Sequence, residues 1–459
     1  MPSVIRSARW FLGLAAWAAP LAAQQSFPPD SAIRAVLTER LASRPTVGMV
    51  VGAIDRTGNR RVVAHGASGT DRPLDDRTVF EIGSITKVFT TAILADMVRK
   101  GEVALEDPVA NYLPRNGRVP ERAGRRIMLL DLATQSSGLP RMPANFAPRN
   151  PANPYADYTA EQLYAFLAGY ELPRDPGSRY EYSNLGMGLL GHALARKAGT
   201  GYEELVTARV LRPLGMRDTR IALTPELRAR LALGHDQGGS PVPNWDIATL
   251  EGAGALRSTV EDMLTFMVAN LDSTATPLSR ALALAHGERV ATGSPGLSVG
   301  LAWHRLARPS GGVIVWHNGG TGGYHSFTGF DPTRGAGVVV LSNSSADIDD
   351  IGFHLLDPSF PLVPPPRQRT EVAVDSVMLQ RYVGEYEVTP QFVLTITREG
   401  SQLYVQATGQ ARVPLYAESE GEFFLKVVDA QVSFVRDSTG RISQLVLHQA
   451  GQNIPARRR

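Results

Sequence analysis

No cysteine occurs among the 459 residues, which removes disulfide scaffolds, thiolate metal sites and cysteine nucleophiles together. Charge is sparse as well, at 20% of residues against 43% hydrophobic, so neither a disordered nor a fibrous chain fits. Lysine is scarcer still. Of 47 basic residues only Lys87, Lys100, Lys197 and Lys426 are lysines. Arginine stays charged in a protein, whereas lysine can be deprotonated, so a retained lysine can meet a need for a titratable amine; for Lys100, Lys197 and Lys426 chance survival is the reading. Several motifs are missing: HExxH or a close histidine pair for a metal, a Walker A run or strand-linked GxGxxG for a nucleotide, and a GxSxG elbow. No metal or cofactor is therefore expected. The net charge of +3 falls to +1 without Arg6 and Arg9, and nucleic acid is not an expected partner.

What is present begins with a processing signal. Arg6 and Arg9 precede the apolar run from Trp10 to Ala19, and small residues follow through Leu21-Ala22-Ala23. This layout predicts a cleavable signal peptide over residues 1–23 and an exported protein. Ten apolar residues are too few to span a bilayer, and no later run approaches 18, so no integral span is expected after cleavage. The proline cluster from Pro358 to Pro366 marks the clearest boundary. A main domain is expected over 24–357, a linker over 358–369 and a second domain over 370–459. Val47–Ile54, Arg61–Ala64, Gly312–Trp316 and Gly337–Leu341 read as strands, with helical patterns such as Val88–Lys100 and Leu185–Lys197 between. Strands at both ends around helices predict an α+β fold whose termini share one sheet. After the prolines come short strands at 392–396, 402–405, 423–428, 432–435 and 442–447, which predict a small antiparallel barrel or sandwich.

Three constellations carry possible chemistry. Ser84-Ile85-Thr86-Lys87 opens a helix that runs through Met97 to Gly101 and sets serine and lysine on one face. A desolvated lysine amine loses basicity and can take the serine proton, and a helix N-terminus favours an oxyanion. The bland alternative is a serine N-cap beside a solvated charge. Tyr182-Ser183-Asn184 follows the turn Pro173–Gly177 and precedes a Gly/Leu-rich helix. A tyrosine near a cation would have a lowered pKa for acid/base work, and the asparagine offers an amide donor and an acceptor. The alternative is a packing tyrosine and an asparagine cap. His317-Asn318-Gly319-Gly320-Thr321-Gly322-Gly323 ends a strand, where glycines let a ligand approach backbone amides. An ordinary glycine turn is the competing reading.

In this order the motifs resemble those of the penicillin-recognising serine hydrolases, in the branch of the class C β-lactamases and low-molecular-mass DD-peptidases. The flanks Phe80–Thr90, Leu129–Pro140 and Tyr180–Asn184 extend the resemblance over roughly residues 30 to 355. It implies a β-lactamase/transpeptidase-like fold: an antiparallel sheet flanked by helices, plus a helical subdomain. The tail, with Tyr382-Val383-Gly384-Glu385-Tyr386, looks like the β-barrel appendage of such domains. The resemblance makes Ser84 the nucleophile, Lys87 its base and Tyr182 the proton shuttle to the leaving amine. Asn184 would hold the substrate amide and His317 would take the cationic position of the strand triad. The amides of Ser84 and Gly320 would form the oxyanion hole, beside Gly319. The triad departs from the lysine-threonine-glycine of efficient class C β-lactamases, and histidine first is more typical of peptidases and esterases. The expected substrates are D-Ala-D-Ala peptides or cross-links of peptidoglycan, or β-lactams. An esterase with the same machinery is the second reading. A catalytically silent binding module, docking through the barrel, is the third.

Overall fold

The computed structural model describes residues 27–114, 117–272, 274–308, 311–364, 369–389, 392–408, 412–426, 430–449 and 452–459. The expected signal peptide lies outside them. The first unit is built on eight strands: β1 (Gly48–Ile54), β2 (Arg60–Gly66), β3 (Val290–Ala291), β4 (Leu297–Val299), β5 (His304–Ala307), β6 (Val313–Gly320), β7 (His325–Asp331) and β8 (Ala336–Ser342). Their order is β2-β1-β8-β7-β6-β5-β4-β3, with every pair antiparallel. β1 pairs with β8, Met49 opposite Ser342 and Ile54 opposite Gly337, so the two ends of the unit do share one sheet.

Both central strands are buried along their whole length. Side chains alternate across a strand, so such strands must be covered on both faces. Val50, Ile54, Val339 and Leu341 join a large helical core on one side. Met49, Val51, Ala53, Val338 and Val340 join a smaller cluster on the other, with Ile33 and Leu37 of α1 (Asp30–Leu41). The large core contains α2 (Thr86–Arg99), α3 (Asn184–Ala198) and α4 (Val260–Leu271). Twelve consecutive residues of α2, Thr86 to Met97, are buried. A helix covered on all sides cannot be amphipathic, and its apolar run reflects that position.

α5 (Asp349–Leu356) closes the smaller face with Ile351, Leu355 and Leu356. The stretch expected as a linker is fastened at its start. Phe360 and Leu362 pack on the smaller cluster, and the Val363 amide donates to Asp350 at 2.7 Å. Arg40 ties the same carboxylate at 3.0 Å. Polyproline backbone has few internal hydrogen bonds, and here side chains supply the ties.

The tail forms a closed antiparallel barrel of eight strands: β9 (Gly384–Thr389), β10 (Phe392–Glu399), β11 (Gln402–Ala407), β12 (Val413–Ala417), β13 (Glu422–Phe424), β14 (Ala430–Arg436), β15 (Ile442–Gln449) and β16 (Gln452–Arg458). Closure is reached through the pairing of β9 with β16. Tyr382, Tyr386, Phe423 and Phe434 fill the interior, with Tyr382 and Phe434 stacked at 4.4 Å.

Candidate active site

Ser84 lies in a single 3-10 turn, Gly83–Ile85, that feeds α2. Its side chain caps no helix N–H. Lys87 is fully buried one turn on, with Nζ 2.8 Å from Ser84 Oγ. The amine also donates to the Ala253 carbonyl at 2.6 Å and lies 4.9 Å from the centre of the Tyr182 ring. Burial, with the nearby Arg141 charge, holds Lys87 well below the usual amine range. A neutral amine at hydrogen-bond distance can accept the serine proton.

The Ala253 carbonyl reaches Lys87 because a short turn, Glu251–Ala253, lies directly on α3. A Cβ on Gly188 would stand 2.6 Å from Leu250, and one on Gly191 would stand 2.9 Å from the Gly252 Cα. The glycines of this helix therefore serve close packing, which brings the carbonyl to the lysine.

Tyr182 sits just before α3. Its ring centre lies 4.9 Å from Lys87 Nζ, and the Ser84 hydroxyl is near enough to act on the phenol. The expectation of a lowered tyrosine pKa is overturned. Burial pushes the phenol up, and the Ser84 hydroxyl and Arg141 offset this only in part. Burial holds the neighbouring amine well below its usual range, and the raised phenol keeps its proton and can donate it. Ser183, not Asn184, caps α3. Its hydroxyl accepts from the Gly186 amide at 2.8 Å and donates to the Pro140 carbonyl at 2.6 Å. Asn184 Nδ2 lies 3.4 Å from the Tyr155 hydroxyl, and its buried Oδ1 has no partner. That free acceptor suits a substrate amide. Gln135 braces this loop from φ 58°, in the left-handed region. Its backbone carbonyl accepts from Glu181 N and its side-chain Oε1 accepts from Ser183 N, each at 2.7 Å.

A testable consequence concerns the cap. Ser183→Ala is expected to cost about 1 kcal/mol of stability through loss of the N-cap. It also frees the Pro140 loop beside Tyr182, so kcat/KM should fall several-fold. Denaturation midpoints with steady-state kinetics measure both.

The third motif forms the end of β6. Thr321 N donates to Tyr324 O at 3.0 Å, which makes that pair hydrogen-bonded across the hairpin. The next pair, Gly320 opposite His325, is then a non-bonded one, and the Gly320 N–H points away from β7. β5 begins at His304, opposite Trp316, so that edge of β6 stays open from Asn318 to Gly320. Gly319 runs against the Ser84 turn. A Cβ there would meet Ile82 O at 2.0 Å, Ser326 Oγ at 2.6 Å and Ser84 N at 2.9 Å, whereas a Cβ on Gly320 would meet nothing within 4 Å.

His317 corrects the expected cation. Its side chain is fully buried. Burial, with His304 and Lys87 adding to it, keeps the ring well below its usual pKa and neutral. Nδ1 donates to the Asn318 carbonyl at 2.6 Å, which leaves Nε2 an acceptor without a partner. Its ring lies 5.1 Å from His304, itself depressed to about 4, chiefly by burial. Position 317 thus supplies no positive charge.

These elements surround a cleft of about 480 Å³. Ser84, Tyr182, Asn184, Gly319 and Gly320 line it; His317 stands behind it. Sequence reasoning missed Arg141, Tyr155, Trp245 and His325 on its walls. Arg141 had one faint signal, its place directly after the Leu129–Pro140 segment, but one arginine among 43 draws no attention. His325 sits with Asp347 and Asp349, a set whose ligand atoms lie within 4.8 Å of one another. Burial lowers the His325 pKa, but Asp349 and Asp347 outweigh it and raise the ring above its usual value.

A model of the beta-lactamase family matches residues 33–353. The chain belongs to the beta-lactamase family. It is a serine hydrolase, and residues 368–457 match a second model described only as a domain of unknown function, DUF3471. The chain is 33% identical over 315 residues to the D-alanyl-D-alanine-carboxypeptidase/endopeptidase AmpH of Escherichia coli K12, covering 65% of this chain and 80% of that protein. Penicillin-binding protein 4* of Bacillus subtilis is 25% identical over 398 residues, covering 79% and 84%. The beta-lactamase/D-alanine carboxypeptidase of Yersinia pestis superposes with a TM-score of 0.62 at 25% identity, covering 72% of this chain and 98% of that structure.

Proposed function

We propose that this beta-lactamase-family hydrolase is a peptidase that cleaves the D-Ala-D-Ala end or a cross-link of peptidoglycan, with β-lactams as alternative acylating substrates. The single observation that carries the reading is the buried group around Ser84: Lys87 Nζ at 2.8 Å from its hydroxyl, with the Tyr182 ring centre 4.9 Å from the same amine. The names of the AmpH and Yersinia pestis relatives support the substrate class. Ser84 Oγ bonds to the substrate carbonyl carbon and gives its proton to Lys87 Nζ. The carbonyl oxygen gains charge and takes hydrogen bonds from the amides of Ser84 and Gly320. The carbon–nitrogen bond then breaks. Its nitrogen takes a proton from Tyr182, which Lys87 replenishes. Water adds to the acyl-enzyme, returns its proton to the same pair, and restores Ser84.

The predicted signal peptide supports action outside the cytoplasm. No helix among the described residues is long and apolar enough to cross a membrane. The boundaries 24–357 and 370–459 are proposed as those of hydrolase and barrel. An esterase is the second reading, favoured by the neutral His317, since a neutral ester needs no cation. Intact-protein mass after mixing with benzylpenicillin tests the choice, with Ser84→Ala as control. A lasting adduct absent from the variant supports the peptidase. A transient adduct with consumption of the drug identifies a β-lactamase. No adduct and no consumption, with fluorophosphonate still labelling Ser84, leaves the esterase.

A further inference from the structure

The cleft needs a positive charge for any anionic substrate, and position 317 does not provide it. Lys87 and His304 are buried as well, and burial disfavours the charged form of each. His325 is already engaged, with Nε2 3.0 Å from Asp349 and 3.7 Å from Asp347. Arg141 is different. It lines the cleft, its side chain is exposed, and no carboxylate pairs with it among the described residues. Its guanidinium carbon lies 5.1 Å from the centre of the Tyr182 ring. Its backbone is fixed, because the Arg141 carbonyl accepts from Asn184 N at 3.0 Å and Leu185 N at 3.2 Å. An exposed guanidinium thus extends from a base tied to the loop that carries Tyr182 and Asn184.

We propose that Arg141 is a specificity-determining residue that binds a free carboxylate on the carbon bearing the scissile nitrogen. The proposal rests on the peptidase reading above and names the substrate feature that reading leaves open. Tyr182 protonates the leaving nitrogen, so a carboxylate one carbon away lies within a few ångströms of the phenol. The guanidinium over that ring is the group in reach. A C-terminal D-amino acid, a D-centre cross-link and a penicillin all carry a carboxylate at that position. Guanidinium matches carboxylate with two parallel N–H donors.

The test compares an acyl-D-Ala-D-Ala peptide with its C-terminal carboxamide. Wild-type enzyme should prefer the acid by about 30-fold in kcat/KM, the range of a charge-assisted hydrogen bond in a cleft. Arg141→Ala should bring that ratio close to one, and Arg141→Lys should restore part of it. The ratio is the readout because losing a charge near Lys87 alters both rates alike. An unchanged ratio in Arg141→Ala would overturn the proposal, as would a wild-type enzyme that takes both peptides equally. If wild type cleaves neither peptide, the peptidase reading falls. Acylation of Ser84 by benzylpenicillin and by its methyl ester then decides the role of Arg141. Faster acylation by the acid, lost in Arg141→Ala, sustains it. Equal rates, or no acylation by either, overturn it.

Discussion

Replacing Lys87 by methionine is expected to lower the rate of Ser84 acylation by about 10⁴-fold while raising the melting temperature. The loss follows from removing the proton acceptor 2.8 Å from the nucleophile. The gain follows from burial. In the unfolded chain the amine titrates near 10.5, whereas the fold holds it well below that value. Between those two values the unfolded state binds more protons than the native state, so native stability rises with pH across that window. Lys87→Met removes this dependence. Its stability advantage should be largest at neutral pH and shrink as pH approaches 10.5. Methionine fills similar volume, and the Ala253 carbonyl, which loses a donor, offsets part of the benefit. A rise in Tm of about 2 °C at pH 7 is the expected scale. A fall at neutral pH, or a gap independent of pH, would contradict a neutral lysine.

Gly319→Ala is expected to lower both stability and activity, and Gly320→Ala to leave stability as it is. At 319 the added methyl collides with Ile82 O at 2.0 Å, a backbone atom that cannot rotate away. Overpacking of this kind costs about 1–3 kcal/mol. Relief requires β6 to move from the Ser84 turn, and that movement separates the amides of Ser84 and Gly320. Loss of one oxyanion donor, or a shift of about 1 Å, reduces kcat by about 10²- to 10³-fold. At 320 the methyl meets no protein atom within 4 Å. Thermal denaturation of both variants, with kinetics on a peptide and a small ester, separates the two. Equal destabilisation would mean that β6 yields more readily than its contacts indicate.

Much of this fold was legible in the chain. Val47–Ile54 and Gly337–Leu341 read as buried strands because they lack polar alternation, and they pair as β1 and β8. The barrel was only partly legible. Val413–Ala417 and Gln452–Arg458 contain Pro414 and Pro455 and exposed arginines, which hide a strand pattern. Ser84, Lys87 and Tyr182 stood out as motifs, and the structure brings them together. The electrostatic signs were less accessible. Tyr182 was expected low and lies high, and His317, expected at the triad's cationic position with a ring neutral for much of the time near pH 7, is held further below its usual pKa, because both depend on how much water reaches the groups. Burial of that kind is set by distant segments such as the Glu251–Ala253 turn, which no local pattern announces. Arg141 was barely legible for a related reason: that no carboxylate pairs with it among the described residues is a property of three dimensions.

The two faces of the central sheet also divide what variation can do. Met49, Val51, Val338 and Val340 face the cluster with α1, while Val50, Val339 and Leu341 face the layer that carries Ser84. Drift on the first set changes only the stability margin and stays silent until that margin is spent. Drift on the second set bears on α4 (Val260–Leu271), which packs on both strands, and so enters the helical core that also holds α2. Adjacent residues of one strand therefore sit under different evolutionary pressures.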